Sequence, residues 1–498
     1  MDAVNLPANS SAGLSAAVPP LSAGPSATLP VDLPGTKIVA TIGPATWDDE
    51  ILRKMINYGM TVARINASFA DHAELERVSV QIRRLSNRLA IMIDTQGHKI
   101  RVNKVEKPVK VVEGETINIG VNVGDGDIWV DYEDFIKDVK VGDRVLIDDG
   151  TIELSIVQIM DNVVKCSVRV GGTINPLKTV NLPETHLSFP PLTEKDKADI
   201  EYAVSHDVDF IAASFIRNIN DVAAIKEYTM GTGVKIIAKI ENFEGIENFD
   251  SILNEVDGIM VARGDLGVEL DAEKVPVLQK EMVLKCREAG KPVIVATQML
   301  ESMRENPRPT RAEISDVATA VFDGADAVML SAETSAGKYP VESVKYMAKA
   351  CREAETACGP DILCESSSAS VETDAVARSV VDLVEELPIN KIVVGSASGV
   401  SVLSIARHRP PVGIVAFVNS GMLMRQLNLV RNVYPVCVDE RLPVDRDWLV
   451  RALAEYGRNA GVLKSEDMVV LVTGSGIAGK SRNTIVEVAR VFDVCNMC

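Results

Sequence analysis

Five short apolar runs in this chain end on residues able to do chemistry on anions. VARINAS ends on Arg64, Asn66 and Ser68, spaced by two so that an extended chain puts them on one face. LAIMIDT ends on Asp94 and Thr95, and AKIEN carries Lys239 and Glu241, again two apart. VARGDLG sets Asp265 after Gly264 on a turn that opens a helix, and VATQM supplies Thr297. Any one of these alone reads as a satisfied polar side chain. Their recurrence at the ends of otherwise apolar runs is not something packing requires. Two carboxylates, Glu241 and Asp265, beside hydroxyl and amide oxygens describe a hard-cation site. Magnesium takes one or two carboxylates and fills its other positions with water and substrate oxygens. A lysine beside it would neutralise a phosphoryl oxygen, and the Gly264 and Asp265 amides at a helix start suit an anion such as a carboxylate.

The elements that must position these residues follow a strand–helix rhythm from Thr36. Strands are expected over 37–43, 61–66 and 89–94, with helices over 48–58 and 71–87. The rhythm breaks over 99–182 into short alternating runs with Gly-Asp turns, an inserted all-β module. It resumes with strands over 209–215, 234–240, 258–263, 292–297 and 326–330. Three strands before the insertion and five after it make eight, the number for a (β/α)8 TIM barrel, in which function sits at the C-terminal strand ends. The polar stretch CESSSASVETD comes next, and beyond it IVVGS, GIVAFV, VYPVCV and MVVLVTG alternate with helices as a separate open α/β domain. The expected organisation is therefore a tail over 1–35, a barrel over 36–98 and 183–355, a β-rich lid over 99–182 and a C-terminal α/β domain over 356–498.

With 498 residues, the chain is too long for one core. Its net charge of −18 argues against nucleic acid or an anionic membrane as a general partner. The Ala-, Ser- and Pro-rich start contains no Lys or Arg before residue 36, so it resembles neither a signal peptide nor an organelle presequence, and a cytoplasmic setting is expected. Cys166, Cys286, Cys351 and Cys437 read as buried thiols. The terminal pair Cys495 and Cys498 lacks the partners a redox or metal role needs.

The strings TKIVATIGPAT, KIENFEG, MVARGDLGVE, ATQMLESM, PRPTRAEISDVA and DGADAVMLSAETSAGKYPVESV resemble the signature strings of the pyruvate kinase family, and the resemblance runs over nearly all of the chain after residue 35. It implies a barrel, a lid inserted after the third strand, a C-terminal regulatory domain and a homotetramer that moves the phosphoryl group of phosphoenolpyruvate to ADP with Mg²⁺. By the same resemblance Arg64 binds the substrate phosphate and Lys239 steadies the phosphoryl group in flight. Glu241 and Asp265 are the Mg²⁺ ligands, and Thr297 helps protonate the enolate through water. Arg101 and the lid residue Lys178 reach the nucleotide phosphates. Asn66, Ser68, Asp94 and Thr95 match the monovalent-cation site. Ser214, Phe215 and Arg217 fall in the string ASFIR without an assigned role.

Three positions depart from the family. Phe69 replaces a histidine and Glu74 a common tyrosine, both beside the family's adenine pocket. Lys99 stands where potassium-dependent members have glutamate, so its ammonium is expected to replace K⁺. GSGIAGKS, residues 474–481, fits a phosphate-loop pattern, but the β-rich NTIVEVARV comes after it where such a loop needs a helix. With GSASGVS, residues 395–401, it is better read as a non-hydrolytic site for the phosphorylated effector that the family's C-domain holds. The candidates there are Ser396, Ser398, Gly399, Ser401, Gly474 and Ser475. Two rival readings are a magnesium-dependent barrel lyase or aldolase and a non-catalytic paralogue. The inserted lid argues against the first, and retention of Lys239, Glu241, Asp265 and Thr297 argues against the second.

Overall fold

A computed structural model describes residues 33–103, 107–359, 371–438, 446–459, 461–474 and 484–495. Eight parallel strands close into a barrel in the order β1-β17-β16-β15-β14-β13-β3-β2. Before the insertion come β1 (Lys37–Ile42), β2 (Met60–Asn66) and β3 (Ala90–Asp94). The insertion carries β4 (Ile100–Arg101), β5 (Val109–Val111), β6 (Thr116–Gly120), β7 (Ile128–Trp129), β8 (Arg144–Ile147), β9 (Ile152–Ile159), β10 (Val163–Val170), β11 (Gly172–Ile174) and β12 (Thr179–Asn181). The barrel then resumes with β13 (Phe210–Ala213), β14 (Lys235–Ile240), β15 (Gly258–Ala262), β16 (Val293–Ala296) and β17 (Ala327–Leu330). All eight runs read as strands from the sequence are barrel strands.

The barrel interior is filled by Val39, Val62, Ala90, Met92, Phe210, Ala212, Ile237, Met260, Ile294, Ala296, Ala327 and Met329, closed at the floor by Leu429 from the C-terminal part. Side chains on a strand alternate between faces. The next inward position toward the C-terminal end after Val62, Met92 and Ile237 is therefore Arg64, Asp94 and Lys239. The apolar plug raises a layer of charge above itself at the barrel mouth.

The lid forms a seven-stranded sheet, β4-β12-β8-β9-β10-β6-β7, around its own core, with β11 and β5 paired apart. It is not wholly β as the sequence suggests: Phe135–Asp138 form one helical turn that drives Phe135 into that core. The C-terminal part is a five-stranded sheet, β20-β19-β18-β21-β22, built from β18 (Lys391–Gly395), β19 (Gly413–Val418), β20 (Val433–Cys437), β21 (Met468–Gly474) and β22 (Thr484–Arg490). All pairs are parallel except β21 with β22, which are antiparallel. The first described element downstream of GSGIAGKS is thus the strand β22, not a helix. The sheet domain docks under the barrel through Arg425, whose Nε reaches Asp209 at 2.7 Å and whose Nη2 reaches Asp207 at 2.6 Å.

Pro34 and Gly35, inside the tail expected over 1–35, are buried, and the Gly35 amide donates to Glu355 Oε2 at 2.9 Å. Cys166, Cys286 and Cys351 are buried free thiols. Cys437 is only half-buried, because β20 lies at the sheet edge. Cys495 is free and buried, and Cys498 lies outside the described residues. Among the described residues no helix is long and apolar enough to cross a membrane.

Candidate active site

A cavity of about 580 Å³ opens at the barrel mouth, lined by Arg64, Asn66, Ser68, Asp94, Thr95, Lys99, Lys239, Glu241, Asp265 and Thr297. The candidate residues from five strand ends and from Lys99 therefore meet in one space. Arg64 Nε donates to Asp94 Oδ2 at 2.7 Å, and its Nη1 donates to Thr41 Oγ1 at 2.8 Å. Lys239 Nζ lies 3.0 Å from Asp94 Oδ1 and 3.0 Å from Glu241 Oε1, and donates to Ser214 Oγ at 2.8 Å. Arg64, Asp94, Lys239 and Glu241 are all buried, which forces these charges to pair.

The electrostatics follow from that packing. Burial opposes the Lys239 charge, yet Asp94 and Glu241 more than offset it and hold its pKa above the ordinary lysine value. Burial likewise opposes ionisation of Asp94, but Arg64 and Lys239 prevail and its pKa is lowered. Glu241 goes the other way. Burial, then repulsion from Asp265, raises it against the pull of Lys239 and Lys99. A carboxylate repelled by a neighbouring carboxylate gains from a divalent cation between them. Asp94 is paired with both Arg64 and Lys239, whereas Glu241 has Lys239 alone within 3.0 Å and Asp265 has Lys99 at 3.5 Å. No cluster of three or more metal-binding side chains occurs among the described residues. The donor set suits Mg²⁺, which prefers few protein oxygens and several water or substrate oxygens.

Thr297 has φ 70, a left-handed conformation unusual for a β-branched residue and worth about 1–3 kcal/mol of strain. It is held there from both sides. Arg263 Nη2 donates to the Thr297 carbonyl at 2.7 Å, and the Gly264 amide donates to Thr297 Oγ1 at 2.7 Å. The Gly264 amide expected to hold an anion is therefore engaged by Thr297 Oγ1. Asp265 lies in a two-turn helix, Arg263–Glu269, 3.5 Å from Lys99 Nζ.

Lys99 sits with its ammonium 5.0 Å from the Phe215 ring centroid and toward Asp265, while Asn66 and Ser68 line the same cavity from the exit of β2. Ser68 is past the end of β2, and its amide donates to Asn66 Oδ1 at 3.1 Å, so the shared strand face expected for Arg64, Asn66 and Ser68 stops at Asn66. Thr95 Oγ1 accepts from the Ser214 amide at 3.0 Å. Phe69 is 88% exposed at the rim of the same cavity, which Glu74 also lines.

Arg101 and Lys178 do not line the cavity. They are neighbours on the lid, where Arg101 Nη1 donates to the Leu177 carbonyl at 3.0 Å and Lys178 pairs with Asp148 at 2.8 Å. At the C-terminal loops, Ser396 Oγ accepts from the Gly399 amide at 3.0 Å, and Gly399 takes φ 82 before a helix over Val400–Ala406. Ser398 is exposed and Ser401 half-buried. Gly474 ends β21, and Ser475 lies outside the described residues.

Sequence reasoning missed Thr41 and Arg263 and left Ser214 without a role. Thr41 carried the same signal as the others, a polar residue at the end of KIVATI. Arg263 stands beside Gly264 in VARGDLG, but its partners Asp316, at 2.6 Å, and the Thr297 carbonyl are remote in sequence.

Comparison with known proteins gives two family matches. Residues 33–344 match the model described as pyruvate kinase, barrel domain, and residues 374–488 match pyruvate kinase, alpha/beta domain. The pyruvate kinase of Geobacillus stearothermophilus is 41% identical over 481 residues, covering 92% of this chain and 81% of that protein. The pyruvate kinase of a Staphylococcus aureus strain is 41% identical over 454 residues, covering 88% and 77% respectively.

Proposed function

Because this chain belongs to the pyruvate kinase family, we propose that its barrel mouth transfers the phosphoryl group of phosphoenolpyruvate to ADP, giving pyruvate and ATP in glycolysis. One observation carries the assignment of roles: a buried lysine ammonium 3.0 Å from two carboxylates at the ends of different strands, beside a buried arginine. Phosphoryl transfer leaves a protein little covalent work, so cations and positioning supply most of the catalysis.

Arg64 binds the phosphate of phosphoenolpyruvate, kept pointing into the cavity by Thr41 and Asp94. Lys239 stabilises the phosphoryl oxygens as the group moves, and its raised pKa keeps it charged at neutral pH. Glu241 and Asp265 hold Mg²⁺, which when bound neutralises phosphoryl charge and polarises the enolate oxygen. Thr297, fixed by Arg263 and the Gly264 amide, orients the water that protonates the enolate. Arg101 and Lys178 meet the nucleotide phosphates when the lid closes over the cavity and excludes water. Lys99 supplies the charge of a monovalent cation, which makes K⁺ dispensable.

The working form is a cytoplasmic homotetramer. The six free cysteines among the described residues suit a reducing compartment, and light scattering tests the assembly. A phosphorylated effector binds at residues 395–401 together with 474–481, of which 475–481 lie outside the described residues. The Gly399 turn, with exposed Ser398 ahead of a helix, supports that reading.

The deciding experiment measures ATP and pyruvate from phosphoenolpyruvate with Mg²⁺, with and without ADP. Turnover that requires ADP is expected. Pyruvate formed without ADP would overturn phosphoryl transfer to a nucleotide, and no turnover at all would favour a non-catalytic paralogue.

A further inference from the structure

The lid leaves the barrel after β3 and returns before the helix at Glu194–Ser205, so two connections join it covalently to the barrel. On the outgoing connection, the Gln96 and Gly97 amides both donate to Asp196 Oδ1 at 3.0 Å. Asp196 is buried, and its other oxygen accepts from the Thr193 amide and hydroxyl at 3.1 and 2.6 Å. Gly97 has φ +66, and a Cβ there would lie 2.7 Å from the Phe215 ring and 2.9 Å from Ser214 Cβ. That connection is clamped against Ser214 and Phe215.

On the returning connection, Arg217 donates to the carbonyls of Leu187, Phe189 and Pro190 at 2.9, 3.0 and 3.3 Å. Asp221 holds the guanidinium from behind at 2.9 and 2.8 Å. Between those carbonyls Ser188 turns the opposite way. Its amide and hydroxyl donate to Asp138 of the lid at 2.7 and 2.8 Å. Consecutive residues thus grip barrel, lid and barrel. Phe189 is stacked on His98 of the outgoing connection at 4.5 Å and packs on Tyr132 of the lid at 4.3 Å, joining the two connections.

The same loop touches the chemistry. Ser214 accepts from Lys239, and the Phe215 amide donates to Glu241 Oε2 at 2.7 Å. Within four residues the string ASFIR contacts the phosphoryl lysine, a metal carboxylate and the lid's return.

We propose that Arg217 and Asp196 are positioning residues of the reaction: they fix the two pivots of the lid, and so set where Arg101 and Lys178 arrive over the nucleotide phosphates. The inference rests on the proposed phosphoryl-transfer reading. Neither residue lines the barrel-mouth cavity that Arg64, Lys239 and Glu241 share, so loosening a pivot moves the lid's cations without altering the barrel's own ligands. A misplacement of about 1 Å can cost about a hundredfold in rate.

The test compares the parent with Arg217→Lys and Asp138→Asn. Lysine keeps the charge but not the fork that spans three carbonyls and Asp221. Arg217→Lys is expected to raise the KM for ADP and lower kcat/KM for ADP at least tenfold. Its affinities for phosphoenolpyruvate and Mg²⁺ should stay within twofold of the parent, and the amides of residues 184–189 should lose hydrogen-exchange protection. Asp138→Asn, half-buried on the lid side, should shift the ADP terms in the same direction, about threefold, and decides the matter if Arg217→Lys does not fold. Nucleotide kinetics within twofold of the parent in a folded Arg217→Lys, or equal losses for both substrates, overturn the proposal. In the absence of a folded Arg217→Lys, unchanged nucleotide kinetics in Asp138→Asn do the same. A parent without ADP-dependent turnover overturns the functional reading instead.

Discussion

Replacing Lys239 by methionine keeps most of the side-chain volume and removes one charge, so its consequences can be worked out atom by atom. The ammonium lies 3.0 Å from Asp94 Oδ1 and from Glu241 Oε1. Asp94 keeps Arg64 at 2.7 Å, whereas Glu241 loses its largest counter-charge and retains the Phe215 amide and the weaker pull of Lys99. Catalysis loses one preorganised charge, worth about 10²–10³ in kcat. Breaking a buried pair costs up to about 3–5 kcal/mol of stability, because a charge is left uncompensated. A proton on Glu241 relieves that cost. In the parent, Lys239 has a raised pKa, so its stabilisation is fully present below the ordinary lysine value and does not vary between pH 5 and 8. In the variant, Glu241 is raised further. A carboxyl with a raised folded pKa penalises the folded state above its unfolded pKa, and the penalty fades as the pH falls toward that value. The Tm deficit of Lys239→Met relative to the parent should therefore be smaller at pH 5 than at pH 8. Coupled pyruvate formation, calorimetric binding of phosphoenolpyruvate and thermal melts at both pH values provide the readouts. Turnover within threefold of the parent, or a deficit that widens on acidification, would refute the reasoning.

Glu241→Gln and Asp265→Asn should each weaken Mg²⁺ binding at least tenfold by titration calorimetry, since each removes one of two carboxylate ligands from a cation that insists on oxygen geometry; unchanged titrations in both would remove them from the site. With tetramethylammonium replacing all K⁺ at equal ionic strength, activity should persist, and a loss above tenfold, about 1.4 kcal/mol, would show that Lys99 does not serve as the cation. Lys99→Glu should then create a K⁺ requirement, because it puts a third carboxylate beside Asp265 and Glu241. Fructose bisphosphate, a sugar monophosphate or AMP should bind the C-terminal loops and raise substrate affinity by favouring the closed state, and calorimetry showing no binding for any of them would make those loops plain turns.

Sequence alone determined which residues stand at the barrel mouth. A period of two carries an apolar strand from core to rim, so the first polar residue after Val62, Met92 or Ile237 on the inward face had to be Arg64, Asp94 or Lys239. Eight such strands, with an insertion after the third, follow from the same local pattern, and the long signature strings identify the family. Tertiary structure decided who pairs with whom. Lys239 and Asp94 are 145 residues apart, and only barrel closure brings them to 3.0 Å. Arg263 was silent in the sequence because its work is done on the Thr297 carbonyl, 34 residues on, where no side-chain pattern shows. Lys99 lies beyond the strand, where Gly97 at φ +66 breaks the alternation, so its direction toward Asp265 is set by the hinge rather than by spacing. Arg101 and Lys178 share a lid edge by strand pairing, Thr179 opposite Arg101, but their distance from the cavity depends on where a separate core sits on two connections. Local periodicity fixes a side chain's face within one element, whereas a charge's partner and a lid's pose are properties of contacts between elements that the chain brings together only on folding.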